Sequence, residues 1–278
     1  MSAQQKLASA IAQRGPLCIG LDPDRDRLPA CVRGDVATFL REILAATSDL
    51  ACAFKINSAF FESTAGLPGQ GASGEAAVLS AVRAAIPDSA LFIWDGKRGD
   101  IANTNRHYAH AAFEVLGADA VTVHPYLGLD PLLPFLRYRD RLTFVLCATS
   151  EGSQMQDLCI CEPGSGQPGQ PLWQWVAQQV AARSEGQCGL VVGATQPERL
   201  AWVRRAAPRL PLLLPGVGAQ GGQIPAPDGG APMLINASRS ILYASAGPDF
   251  AAAARAAAQS LRAACTMAAA APAASLAG

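Results

Sequence analysis

Short apolar runs that end in polar residues recur eight times along the chain. They are LCIGLD (17–22), ACAFKIN (51–57), LFIWDGK (91–97), AVTVHP (120–125), TFVLCATS (143–150), GLVVGAT (189–195), LPLLLPG (210–216) and MLINASR (233–239). Each is bounded by polar residues, glycine or proline and is too short for a helix, so each is read as a strand. Between most of them the apolar spacing changes to the helical period. Val36, Phe39, Leu40, Ile43 and Leu44 fall on one helical face, as do Val78, Leu79, Val82 and Ile86. Continuous apolar strands alternating with such helices indicate a parallel sheet covered on its outside. Eight units predict a (β/α)₈ barrel, with a doubly wound open sheet as the alternative. The 278 residues suit one domain, since such barrels commonly take about 250 residues. Residues 251–278 are mostly alanine and read as a closing helix and tail.

The polar residues gather where the strands end: Asp22, Lys55 with Asn57, Asp95 with Lys97, Thr149 with Ser150, and Ser238 with Arg239. Barrel enzymes build their sites on that rim. Any one of these is an ordinary strand-to-loop transition, but five on one rim point to a site. The densest group lies in LFIWDGKRGDI (91–101), where Asp95, Lys97 and Asp100 alternate in sign. Residues two apart on a strand share a face, so Asp95 and Lys97 are expected side by side. Carboxylates flanking a lysine favour its ammonium form, a cation ready for a reaction that generates negative charge. The structural alternative is a solvated loop in which Asp100 N-caps a helix beginning near Ala102.

Gly216, Gly218 and Gly221 satisfy G-x-G-x-x-G, a pattern that elsewhere marks dinucleotide binding. Here Pro225, Pro227 and Pro232 follow closely and leave no room for the required helix. What remains is a glycine loop offering backbone N–H groups after the seventh strand. Phosphate commonly binds barrels between the seventh and eighth loops. Arg239 and Gln220 are placed to grip it, the alternative being a plain turn beside a surface arginine. Segments 62–74 and 151–171, rich in Gly, Ser and Pro, read as mobile rim loops.

Charge and cysteine usage remove other classes. Half the residues are apolar, and 22 basic residues balance 22 acidic ones, so no nucleic-acid surface is indicated. The N-terminus lacks an apolar signal core, and no segment offers about 18 uninterrupted apolar residues. A soluble cytoplasmic protein is expected. The eight cysteines are scattered and read as reduced thiols. Neither Cys159 with Cys161 nor His107 with His110 has further ligands at metal spacing, so no metal site is expected.

Assembled in order, GLDPD (20–24), FKINSAFFE (54–62), DGKRGDIANT (95–104), PYLG (125–128), TSEG (149–152), VVGAT (191–195), PGVGAQGG (215–222) and NASR (236–239) make the chain resemble the orotidine 5′-phosphate decarboxylases, in particular their longer bacterial branch. The likeness covers almost the whole chain. It implies conversion of orotidine 5′-monophosphate to UMP and CO₂, the last step of de novo pyrimidine biosynthesis, with no cofactor. It further implies that Lys97 stabilises and protonates the C6 carbanion, that Asp95 holds Lys97, and that Asp22 and Lys55 contact the ribose. Ser150 would bind the pyrimidine and Gln220 and Arg239 the phosphate, with Pro215 and Gly221 as further substrate-binding residues. By the same resemblance Asp100, Ile101 and Thr104 reach the neighbouring subunit's site, so a homodimer is implied. The chain departs from the usual pattern at His124 and Glu151, where asparagine is common. Two other readings stay open: an Mg²⁺-dependent sugar-phosphate enzyme of the same superfamily, which shares Asp-x-Lys-x-x-Asp, and a non-catalytic nucleotide-binding barrel.

Overall fold

All eight apolar runs supply strands of one closed parallel barrel, in the order β1-β8-β7-β6-β5-β4-β3-β2. These are β1 (Leu17–Gly20), β2 (Ala53–Asn57), β3 (Leu91–Arg98), β4 (Ala120–Val123), β5 (Leu142–Ala148), β6 (Cys188–Val192), β7 (Leu212–Leu214) and β8 (Met233–Ala237). The computed structural model describes residues 1–62, 72–149, 154–161, 169–218, 221–226 and 229–270. Every residue of β1, β4, β6 and β7 is buried, as their unbroken apolar runs require of strands covered on both faces. The barrel closes where β1 pairs with β8, Cys18 opposite Asn236. An open doubly wound sheet is thereby excluded.

Several strands, β1, β5 and β8 among them, stop earlier than their apolar runs. Asp22 and Arg239 lie two residues past β1 and β8, and Thr149 lies just past β5. Lys55, Asn57, Asp95 and Lys97 are within strands. The polar residues therefore line a rim that begins inside the barrel mouth and continues into the loops.

Helices α2 (Val36–Thr47), α3 (Ala72–Ala85), α4 (Ala102–His110), α5 (Leu172–Arg183) and α6 (Pro197–Ala206) lie between strands, and α7 (Phe250–Ala270) follows the last. The whole predicted face of α2 is buried, and its first turn is capped by Asp35, which accepts from Thr38 N at 3.0 Å. Phe250, Ala254 and Ala258 form the buried stripe of α7. The segment between β7 and β8 holds no helix among its described residues, in keeping with its prolines.

Two features differ from the sequence reading. Residues 3–14 form α1 (Ala3–Arg14), opened by a reciprocal cap between Ser2 and Gln5. Its Ala3, Leu7 and Ala10 join the barrel-interior cluster that holds Cys18, Ile93 and Phe144. Burying Leu7 contributes roughly 2 kcal/mol, and Lys6 Nζ meets Asp119 Oδ2 at 2.6 Å. This helix closes the N-terminal end of the barrel and leaves the opposite end for a site. The other difference is in 151–171. Its described part contains a helical turn (Gln154–Asp157) and an antiparallel pair, Cys159–Ile160 with Gln170–Pro171, instead of plain loop. The rest of that segment, and 63–71 of the other predicted loop, lie outside the described residues.

Candidate active site

A cavity of about 490 Å³ opens at the C-terminal mouth of the barrel. At its base Lys55 of β2 and Asp95 of β3 are 5% and 6% exposed. Lys55 Nζ donates to Asp95 Oδ2 at 2.7 Å and lies 3.9 Å from Asp22 Oδ1. Lys97 Nζ donates to the other oxygen, Asp95 Oδ1, at 2.8 Å. Asp22 is steadied by the backbone N–H of Asn57 at 3.3 Å. Four charges of alternating sign thus run Asp22, Lys55, Asp95, Lys97, and all four residues face the cavity.

Burial alone would raise the Asp95 carboxyl, but Lys55 and Lys97 outweigh it and hold the group well below the usual carboxylate range. For Lys55 burial pulls downward, and Asp22 and then Asp95 override it, so the ammonium is held above the usual lysine range. Beneath them, burial pushes the Cys18 thiol up to about 12.

Asp95 and Lys97 are neighbours as expected, but the backbone between them is not a regular strand. Lys97 has φ 44°, a left-handed conformation that costs a non-glycine residue on the order of 1–3 kcal/mol. The β3–β4 ladder shifts register between Trp94 and Arg98 at the same place. Thr122 of β4 bridges the break: its hydroxyl donates to Asp95 Oδ1 at 2.7 Å and accepts from Lys97 N at 3.0 Å.

Arg239 begins a short helix, Arg239–Leu242, and lines the cavity together with Pro215 and Gly216. Gly216, Gly218 and Gly221 have φ of 96°, 80° and 76°, so these glycines use the left-handed region, and the described residues of the loop hold no helix. Gly221 does not reach the cavity wall. Ser150, Gln220 and Glu151 lie outside the described residues.

Asp100, Ile101 and Thr104 do not line this cavity. Asp100 Oδ1 accepts from Ile101 N at 2.6 Å and forms no ion pair with Lys97. The N-cap of α4 is Ile101, not Asp100, and its side chain is 61% exposed. His124 packs against Gly99, where an added Cβ would meet the imidazole at 2.5 Å. His107 and His110 are exposed on α4. Among the described residues no three of His, Cys, Asp and Glu are grouped to hold a metal ion.

Several cavity residues escaped the sequence reading: Thr122, Asn236, Arg27 and Tyr243. Arg27 stacks on Tyr243 at 4.1 Å, and the tyrosine hydroxyl accepts from Asp24 N. Thr122 and Asn236 are lone polar residues inside the runs AVTV and LINA. A polar group in a doubly covered strand must be hydrogen-bonded, and that was the available signal.

A carboxyl held below its unfolded value stabilises the fold fully above about pH 4, and the contribution fades as pH falls toward the folded value. Asp95→Asn leaves two ammonium groups without their shared partner and is expected to cost about 3 kcal/mol at pH 7, less than a fully buried pair because Lys97 is half exposed. In urea titrations the gap between wild type and variant should stay level from pH 7 to about 5 and narrow below about 4. A gap unchanged down to pH 3 would refute the pairing.

With this geometry in place, comparison with known proteins is specific. The family model described as "Orotidine 5'-phosphate decarboxylase / HUMPS family" matches residues 15–257. A curated orotidine 5′-phosphate decarboxylase from Thermomicrobium roseum is 46% identical over 276 residues, covering 94% of each chain. Among solved structures, the OMP decarboxylase of Leishmania donovani superposes with TM-score 0.75 at 35% identity, covering 96% of this chain and 99% of that one. The UMP synthase of the same organism gives TM-score 0.78 at 36% identity, covering 95% of this chain. This chain spans 57% of that synthase. The agreement runs from before the first strand to beyond the last, and the chain belongs to the orotidine 5′-phosphate decarboxylase / HUMPS family.

Proposed function

We propose that the chain is a carboxy-lyase that converts orotidine 5′-monophosphate to UMP and CO₂, the last step of de novo pyrimidine biosynthesis, without metal or organic cofactor. The observation that carries this reading is the Asp22–Lys55–Asp95–Lys97 array at the base of the cavity. The curated relatives at 44–47% identity bear the decarboxylase name, which favours this branch over the sugar-phosphate one. So does the chemistry of Asp95: both of its oxygens accept from lysine, and one also from Thr122, so its negative charge is already matched by two ammonium groups. A passive binding barrel gains nothing from the desolvation cost of such an array.

In the reaction the bond between C6 and its carboxylate breaks, CO₂ departs, and the electron pair stays on C6. No ring position delocalises that pair, so the nearby ammonium of Lys97 supplies the stabilisation. Lys97 then transfers a proton to C6 and is reprotonated from solvent. Asp95 fixes Lys97 and crowds the departing carboxylate. Lys55 with Asp22 holds the ribose, and Ser150 reads the pyrimidine. Arg239 grips the phosphate with Gln220, beside Pro215.

A second copy of the chain completes each site. Asp100, Ile101 and Thr104 are not among the residues lining their own cavity, and Ile101 is an exposed apolar residue at the start of α4. In a homodimer these residues enter the partner's cavity and place a second carboxylate beside Lys97. The barrel domain acts in the cytoplasm. Among the described residues no helix is long and apolar enough to cross a membrane.

Arg239→Ala should lower kcat/KM for the phosphorylated substrate while leaving the poor reaction of unphosphorylated orotidine nearly unchanged, because remote binding energy serves the reacting centre. Equal losses on both substrates would mean that Arg239 acts through folding.

Lys97→Ala should reduce turnover by at least about 10³-fold, and Asp100→Ala should also be nearly inactive. Mixing the two variants is the sharper test. A mixed dimer has one fully wild-type site and one doubly defective site, so random exchange should return about a quarter of wild-type activity under two-fold symmetry. No recovery after confirmed subunit exchange would place Asp100 in its own chain's site.

A further inference from the structure

We propose that Thr122 is a positioning residue of the reaction, whose hydroxyl sets the direction of the Lys97 ammonium by holding the lysine's backbone and its carboxylate partner at once. The inference rests on the reading of Lys97 as the acid. It starts from a backbone anomaly. Lys97 is one of two non-glycine residues with positive φ among those described, the other being Arg33 in a surface turn. It occupies the gap in the β3–β4 ladder, where pairing passes from Trp94↔Val121 to Arg98↔Val123. Its amide therefore has no ladder carbonyl, and Thr122 Oγ1 accepts it at 3.0 Å.

That bond also fixes the hydroxyl proton. A backbone N–H only donates, so the threonine oxygen accepts there and directs its own proton to Asp95 Oδ1, 2.7 Å away. The same carboxylate oxygen receives Lys97 Nζ at 2.8 Å. A closed ring results: Lys97 N–H to Thr122, Thr122 O–H to Asp95, and Asp95 back to the far end of the Lys97 side chain. Thr122 is 1% exposed in an otherwise apolar strand. A flexible side chain that lines the cavity is thereby anchored at both its backbone and its tip. Without the hydroxyl, the amide loses its acceptor and Asp95 loses one of its donors, while Lys55 still pairs with Asp95 at 2.7 Å. The array survives, but its aim is lost.

Thr122→Val keeps the shape and removes only the hydroxyl, while Thr122→Ser keeps the hydroxyl and removes the methyl group. The expected result for Thr122→Val is a fall in kcat of about 10- to 100-fold, the scale of a misplaced catalytic group, with KM and UMP affinity within about threefold of wild type. Thr122→Ser should restore kcat to near the wild-type value. A purely structural role would instead lower thermal stability and substrate binding together, with no selective fall in kcat. Should Thr122→Val fail to fold, Thr122→Ala serves as the second hydroxyl-free variant. Wild-type kcat in a folded hydroxyl-free variant, or a loss that serine does not repair, overturns the proposal. If Lys97→Ala itself kept full turnover, the underlying reading of the acid would fail instead, so the two failures are distinguishable.

Discussion

The buried Asp95 carboxylate, held between the ammonium groups of Lys55 and Lys97, is the constraint on which the rest of the site depends. A lone carboxylate at that depth would take up a proton, and a lone lysine would lose one. Each stays charged because the other is there. The cost of desolvating the pair offsets its Coulombic attraction, so its presence is best understood through chemistry. It presents a fixed cation at the cavity.

The barrel makes this arrangement possible by bringing residues from four strands to one point. Lys55, Asp95 and Thr122 arise from the adjacent strands β2, β3 and β4, and Asp22 follows β1. Helix α1 seals the opposite end with Leu7 and the Lys6–Asp119 pair, so the interior is solid below the site. The rim by β7 and β8 is built differently, from glycines at positive φ (Gly216, Gly218 and Gly221) and the start of a short helix at Arg239. A rigid charged base and a backbone-rich rim suit a substrate with a reacting ring at one end and a dianion at the other.

The eight strands were legible because strands buried on both faces must be apolar throughout, which leaves unbroken runs such as LVV and LLL. The charged members were legible because they end those runs. Helix α1 was not: its stripe is one leucine and small alanines, and it is stabilised by packing under the barrel more than by its own pattern. Thr122 was hidden for the opposite reason. A β-branched residue in AVTV looks like an ordinary strand former, and only the break in the β3–β4 ladder gives its hydroxyl two partners. The left-handed Lys97 was equally invisible, since nothing in DGKRGD distinguishes a strained lysine from an extended one. Asn236 shows the limit of reading from burial, because its partner Cys18 lies 218 residues away and meets it only on closure of the barrel.

The most direct test is a spectrophotometric assay of the purified chain on orotidine 5′-monophosphate, run before and after exhaustive chelation. The account predicts conversion to UMP at a rate that chelation leaves unchanged, because the cation at the reacting carbon is an ammonium already held in place. Absence of turnover, or turnover lost with EDTA and restored by Mg²⁺, would contradict it.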